Sequence, residues 1–411
     1  MSHAGEAGRR GPRVRSDCWI RVEPRTSGGV TVDVTSKVAA MYGDRIREQV
    51  AAGCATLGLT HAAVTVEDQG ALPFVLDARL EAAARRAVPD LDTELLPPWN
   101  DRCREGGRRE RLRRSRLYLP GNEPKFLVNA GLHRPDGVIL DLEDSVAPAE
   151  KDAARVLVRN ALRRVDFHGA ERMVRINQGE RGLADLAWIV PHNVHLVLIP
   201  KVEDPAQVTA VADRIAALQR EAGTAGEIFL MPIVESALGA WRAYEIAAAH
   251  PSVVALTIGL EDYTADIGAQ RTAAGTESFW ARAQVVNGAR AAGVQPIDTV
   301  FSDVADTEGL RAAVREAKAL GFVGKGCIHP RQIAVVHAEF APSPEEVARA
   351  VRIVRAFEEA EARGLGVVAL GSKMIDPPVV KRAQAVVDLA VASGRLAPDW
   401  REQAEPEERT S

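Results

Sequence analysis

The strongest constraint on this chain is a rhythm of strands and helices. Eight strand-like runs alternate with helical stretches: Arg116–Pro120 (RLYLP), Gly137–Asp141 (GVILD), Met173–Asn177 (MVRIN), Val194–Lys201 (VHLVLIPK), Ile228–Glu235 (IFLMPIVE), Val253–Leu260 (VVALTIGL), Gln295–Phe301 (QPIDTVF) and Gly321–His329 (GFVGKGCIH). Eight strands with intervening helices over residues 116–329 predict a (β/α)8 barrel, the TIM barrel architecture. Several runs are apolar throughout, as parallel strands buried between a filled barrel and its helices must be. A doubly wound open sheet is the competing architecture.

At 411 residues the chain exceeds one average core, so a second domain is expected. Upstream, Cys18–Glu23 and Gly29–Val34 alternate apolar and polar residues and predict a hairpin. A helix from about Thr35 to Gly58, a third strand at Ala63–Val66 and a helix from Ala71 to about Ala87 complete a small β-β-α-β-α domain over residues 16–90. Pro97-Pro98-Trp99-Asn100 then leads into Arg102–Arg116, where eight of fifteen residues are arginine. Such a run reads as a solvated linker that repels itself into extension, or as a lure for a nucleotide or phosphate-bearing carrier; the same two readings apply to Arg9, Arg10, Arg13 and Arg15. After the eighth strand come a helix at about Pro344–Arg363, a glycine-punctuated stretch Gly364–Lys373 and a last helix at about Pro377–Ser393. This segment is surplus to a minimal barrel and is expected to form a lid over a barrel mouth.

Composition removes several classes of function. Hydrophobic residues make up 46% and charged residues 26%, which excludes wholesale disorder. No apolar run approaches the roughly 18–20 residues of a membrane span, and Met1–Arg15 lacks the apolar stretch of a signal peptide, so the expectation is a cytoplasmic protein without a membrane partner. A net charge of −4 does not suggest a nucleic-acid partner. Cys18, Cys54, Cys103 and Cys327 form no CxxC pair, against structural zinc or a disulfide framework. Gly364-Leu365-Gly366 and Gly371-Ser372-Lys373 are only fragments of phosphate loops.

A barrel keeps its chemistry where the strands end on the C-terminal side. The residues there are acidic: Asp141, Glu143 and Asp144, then Glu235, then Glu261 and Asp262, with Asp298 and Asp303 on the seventh run. Carboxylates on consecutive strands, Glu235 and Asp262, suit magnesium, a hard ion that takes one or two protein carboxylates and leaves positions for water and substrate oxygens. Acids after strands also cap helices or pair with arginines, and Asp144, Glu143 and Asp303 fit that reading equally. Arg175, on an apolar strand, needs an anion: either a structural partner such as Asp141 or a substrate carboxylate or enolate. His329, before Pro330, reads as a shaping residue rather than a general base.

These residues also carry a resemblance. RRSRLYLPGN (Arg113–Asn122), ILDLEDSVAPAEKDAAR (Ile139–Arg155), VRIN (Val174–Asn177), IVES (Ile233–Ser236), GLEDYTADIG (Gly259–Gly268), GFVGKGCIHPRQI (Gly321–Ile333) and GSKMIDPPVVKRAQ (Gly371–Gln384) resemble the citrate lyase beta subunit, in the family of citryl-CoA, malyl-CoA and citramalyl-CoA lyases. MYGDRI (Met41–Ile46) and Val66–Ala87 resemble the citrate lyase gamma subunit, an acyl carrier protein whose serine bears a phosphoribosyl-dephospho-CoA arm. The resemblance implies a carrier-like domain at 1–96, an Arg-rich linker at 97–112, a lyase barrel with its lid at 113–395, and a disordered tail at 396–411. It implies magnesium on Glu235 and Asp262, Arg175 as the residue that binds and polarises substrate, and Asp376 as an acid/base donated from the C-terminal segment across a subunit interface. By itself, Asp376 before Pro377 reads as a helix-entry residue.

The implied reaction is retro-Claisen cleavage of a 3-hydroxy acyl thioester, such as a citryl thioester on CoA or on a carrier, to an acetyl thioester and oxaloacetate. Malyl-CoA or citramalyl-CoA cleavage, thioester hydrolysis, or service as a subunit beside an acyltransferase (alpha) partner are the alternatives. Substrate and product would be small molecules, a CoA thioester and a 2-oxo acid, and a homo-oligomer, a trimer or a multiple of it, is implied. Arg15 stands where the family's arm-bearing serine is expected and Ser16 is its neighbour, so either the register shifts by one and Ser16 carries the prosthetic group, or the arm has been lost.

Overall fold

The computed structural model describes residues 3–364, 368–370 and 373–402. The Gly364-Leu365-Gly366 and Gly371-Ser372-Lys373 fragments lie partly outside these residues, as does most of the tail at 396–411. The chain divides into two compact units, residues 1–333 and 334–411.

The first unit opens with β1 (Gly5–Gly8), β2 (Cys18–Pro24), β3 (Val30–Ser36), α1 (Ala39–Thr56), β4 (Ala62–Asp68) and α2 (Pro73–Ala87). The sheet order is β1-β2-β4-β3. The expected hairpin is therefore absent: β2 and β3 never meet, because β4 lies between them, antiparallel to β2 and parallel to β3. The reason is the crossover helix α1. It returns the chain so that β4 pairs in parallel with β3 along its whole length, while the loop 25–29 carries the chain across two strand spacings, about 10 Å. Two glycines in that loop, Gly28 (φ 96°) and Gly29 (φ 73°), adopt the left-handed backbone the turn requires. β1, a glycine-bearing edge strand, pairs with β2 through Ala7 and Ile20.

The barrel follows: β5 (Ser115–Pro120), α3 (Pro124–Leu127), β6 (Gly137–Asp141), α4 (Lys151–Arg164), β7 (Glu171–Arg175), α5 (Gly179–Asp185), β8 (Leu196–Ile199), α6 (Pro205–Ala222), β9 (Phe229–Val234), α7 (Ala237–Trp241), α8 (Ala243–Ala247), β10 (Ala255–Ile258), α9 (Leu260–Asp266), α10 (Phe279–Ala291), β11 (Gln295–Val300), α11 (Thr307–Leu320) and β12 (Gly324–Cys327). The strands β5 to β12 close on themselves in sequence order, all parallel. All eight expected strands are present; β8 to β12 are shorter than the runs that announced them, and β5 to β7 match theirs to within two residues. Ile139, Met173, Leu196, Leu198, Phe229, Met231 and Ile233 form the filled interior. Helix starts obey local chemistry: Asp204 and Gln207 make a reciprocal capping box at α6, with Pro205 in its first turn.

Arg102–Arg116 is not a self-repelling linker. Arg102 pairs with Asp166, Arg113 forks onto Glu171 with both side chains fully buried, Arg114 forks onto Asp136, and Arg116 is buried in the barrel wall. Later acids engage Arg102, Arg111, Arg113 and Arg114, so the run straps the N-terminal end of the barrel instead of extending into solvent. The small domain is seated as well. Arg159 of α4 donates to both Glu81 carboxylate oxygens in a pair sealed from solvent. Buried Arg79 holds both oxygens of Asp17 and also donates to the Asn122 carbonyl in the loop after β5.

The second unit contains most of α12 (Arg331–Phe340), α13 (Pro344–Ala362), β13 (Val368–Leu370), β14 (Lys373–Ile375) and α14 (Pro377–Ala392). Ile353, Val354, Ala383, Val387 and Trp400 form its core. β13 and β14 are antiparallel, and Asp376 caps α14 by accepting the Val379 N–H. Among the described residues no helix is long and apolar enough to cross a membrane.

Candidate active site

Strand register brings Asp141, Arg175, Glu235 and Asp262 to one end of the barrel. Asp141 ends β6 directly opposite Arg175, the last residue of β7. Arg175 Nε and Nη2 donate to the two Asp141 oxygens at 2.7 and 2.8 Å, and Nη1 lies 3.0 Å from Glu143 Oε2. Burial opposes the charge on both partners of the fork, but their mutual hydrogen bonds outweigh it. Asp141 is held below the usual carboxylate range and Arg175 is raised above its ordinary value. The guanidinium also lies 5.5 Å from the centre of the Tyr118 ring. Asp141 is thus the structural anion that a strand arginine demands, and it fixes Arg175 at the barrel mouth.

Glu235 immediately follows β9. It is 7% exposed and accepts the Lys201 N–H at 3.0 Å through Oε2. Burial, aided by the negative charges of Asp262 and Glu143, pushes its carboxyl up to about 7. Lys201 has a left-handed backbone (φ 50°), an uncommon state for a residue with a side chain. That conformation lets one residue serve two acids: its N–H meets Glu235, and its Nζ meets Asp262 Oδ1 at 3.0 Å. Gly259 makes the space, because a Cβ there would collide with the Glu235 carboxylate. Burial likewise raises Glu143, whose Oε1 accepts from Gln178.

Among the described residues no three His, Cys, Asp or Glu side chains gather as a ready-made metal cage. Magnesium does not need one, since it binds through one or two carboxylates and keeps its other positions for water and substrate. A buried carboxylate whose negative neighbours resist its ionisation, seated in a cradle that excludes a Cβ, is matched to such a cation.

The remaining expectations resolve individually. Asp376 belongs to the C-terminal unit, where it is the cap of α14. Ser16 is half-buried with φ 55°, and its N–H donates to the Gln69 carbonyl. Asp303 closes a turn by accepting from Ala305 and Asp306. Asp298 is fully buried between Lys325 and Arg282 and does not reach the mouth. The His329 ring accepts the Arg331 N–H, and burial pushes the Cys327 thiol up to about 12, which leaves it inert. Sequence reasoning missed Lys151, whose ammonium gathers the Leu142 and Glu143 carbonyls and Asn177 Oδ1 and so holds the acidic loop in place. It also missed Gly259, although a glycine at a strand end just before Leu-Glu-Asp is a visible signal of close approach.

Known proteins share this architecture and these segments. Residues 114–330 match the HpcH/HpaI aldolase/citrate lyase family, and residues 11–87 match the malonate decarboxylase delta subunit (MdcD) family of acyl-carrier type. The citrate lyase subunit beta of Haemophilus influenzae is 40% identical over 283 residues, covering 68% of this chain and 97% of that protein. The L-malyl-CoA/beta-methylmalyl-CoA lyase of Cereibacter sphaeroides is 35% identical, covering 67% of this chain and 93% of that protein. The crystal structure of the CitE protein of Mycobacterium tuberculosis in complex with magnesium, acetoacetate and coenzyme A superposes with a TM-score of 0.57 at 33% identity, covering 69% of this chain and 98% of that one. The chain therefore belongs to the HpcH/HpaI aldolase/citrate lyase family of enzymes and carries an acyl-carrier-like domain of the MdcD type before its barrel.

Proposed function

We propose that the protein is a magnesium-dependent carbon-carbon lyase that cleaves a 3-hydroxy acyl-CoA thioester, citryl-CoA foremost, into acetyl-CoA and a 2-oxo acid. The observation that carries this reading is the pairing of two opposite environments at one barrel mouth: an under-neutralised carboxylate, Glu235, near Asp262, and a cation, Arg175, locked in place by Asp141. Glu235 and Asp262 would hold the ion. When bound, magnesium supplies Lewis-acid polarisation of the oxygens on the hydroxy-acid half. As the hydroxyl gives its proton to water and becomes the 2-oxo carbonyl, the carbon-carbon bond breaks, its electrons pass to the acetyl half, and Arg175 stabilises the enolate oxygen that forms there. Because the Asp141 fork orients the guanidinium beforehand, little reorganisation is needed at the moment of reaction. Asp376 is the proposed acid that delivers a proton to the enolate carbon, reaching a barrel from the C-terminal segment in a homo-oligomer, a trimer or a multiple of it.

The N-terminal domain favours a free CoA thioester over a carrier-bound one. A carrier that shuttles as a whole domain must leave its seat, whereas this domain is fixed to the barrel by the sealed Arg159–Glu81 pair and by the bond from Arg79 to the Asn122 carbonyl. Arg15, in place of an arm-bearing serine, points the same way. The deciding experiment is 2-oxo acid release by the purified chain from citryl-CoA, malyl-CoA and citramalyl-CoA, with magnesium present and with it chelated. Metal-dependent release from one of them is expected. No release from any, together with an intact mass that includes a prosthetic arm on Ser16, would replace this reading with a carrier-fed subunit working beside an acyltransferase.

A further inference from the structure

A cavity of about 390 Å³ lies where the N-terminal domain meets the loop after β5. Arg9, Arg10, Arg13 and Arg15 line it from one side, and Glu123 and Lys125 from the other, with Asp17 in its wall. Five cations thus face two acids, and both acids are already taken. Buried Arg79 occupies both oxygens of Asp17, while Arg9 and Lys125 engage Glu123. Arg10 rests on the Trp19 ring at 4.4 Å and lies 3.5 Å from Glu67. Arg13 and Arg15 have no ion-pair partner among the described residues, and Gly11 (φ 112°) bends the loop that presents them. Behind the wall, Arg79 Nη1 and Asn122 Oδ1 are a buried donor and a buried acceptor without partners.

The cavity's place in the fold connects it with the mouth. Pro120 ends β5 directly opposite Asp141, the partner of Arg175, and Gly121 donates its N–H to the Asp141 carbonyl. The segment carrying Glu123 and, in α3, Lys125 therefore rises from the strand end beside the proposed catalytic arginine. A concave site with surplus arginine at this end of the barrel suits a polyanion that extends from the reacting centre, and phosphate is the group that several arginines bind best.

We propose that this cavity binds the phosphorylated nucleotide end of a CoA thioester, so that the carrier-like domain serves as a fixed receptor for the substrate's handle. The inference rests on the reading of the substrate as a CoA thioester, and it is tested through binding rather than turnover. CoA and pantetheine, which lacks the nucleotide and its phosphates, are titrated against the full chain and against a R13Q/R15Q variant, with adenosine 3′,5′-bisphosphate as a competitor. Both arginines are exposed, and an unchanged melting profile verifies the fold.

The expected result is that the unmodified chain prefers CoA to pantetheine by roughly tenfold or more, that added salt weakens the preference, and that the variant loses most of it. Adenosine 3′,5′-bisphosphate should displace CoA from the unmodified chain. A preference that survives in the variant, or its absence from the unmodified chain, overturns the proposal. The two readings fail separately: a chain without lyase activity that still loses its CoA preference on substitution keeps the cavity assignment, whereas an active lyase with an unaltered preference removes it.

Discussion

Two buried acids in the same barrel behave in opposite ways. Asp298, within β11, is fully buried, yet Lys325 and Arg282 outweigh the cost of burial and hold its carboxyl below the ordinary range. Glu235, just past β9, is buried almost as deeply, but burial prevails and pushes it up to about 7. The first acid is neutralised by the fold itself. The second is held where the fold's own cations are committed elsewhere, Arg175 to Asp141 and the Lys201 ammonium to Asp262. Burial alone therefore does not mark a site; burial without sufficient counter-charge does.

Substitutions can break this comparison. Glu235→Gln is expected to lower thioester cleavage by about a thousandfold or more, equivalent to about 4 kcal/mol, while leaving the melting temperature unreduced. A variant that melts earlier and still cleaves would place Glu235 with the structural acids. Asp298→Asn should do the reverse, leaving two buried cations facing a neutral amide and costing about 3 kcal/mol in urea unfolding. Wild-type unfolding in that variant would show that Lys325 and Arg282 find other partners. Glu81→Gln should cost about 2 kcal/mol, since Arg159 keeps Glu94 at 3.0 Å, and should increase protease access to the seat of the N-terminal domain. Unchanged proteolysis would argue against the seat.

The smallest effect is a pH slope. Burial, reinforced by neighbouring arginines, lowers His192 and His195 to about 3. Unfolded histidines bind protons near pH 6.5 and these folded ones do not, so their contribution to stability is complete above about pH 6.5 and is lost as pH falls towards 3. By pH 5 each should cost about 1–2 kcal/mol, and His192→Gln should flatten the slope measured by urea unfolding between pH 7 and 5. An identical slope in that variant would assign the acid sensitivity to other groups.

The barrel was legible because parallel strands buried on both faces appear as apolar runs, and helix starts such as Ser343 to Glu346 carry their capping box in the sequence. The acids at strand ends were legible for the same reason, since position on a strand determines which end of the barrel a residue occupies. Pairing was not legible. Periodicity reveals a strand's two faces but not its neighbour, so β4 came between β2 and β3 unannounced. Nor does an arginine reveal its acid: Arg113 meets Glu171 and Arg159 meets Glu81 across 58 and 78 residues of chain. The environment of Glu235 depends on a left-handed Lys201 and a missing Cβ at Gly259, neither of which leaves a periodic trace.

The arginine belt and the sealed pair at Glu81 have a consequence for chain continuity. Because the contacts that seat the N-terminal domain join residues before Gly106-Gly107 to residues after it, the covalent connection there adds little to what the folded surfaces already hold together. A chain cut at that point should remain a single particle, and its two pieces, made separately, should reassemble as subunits do.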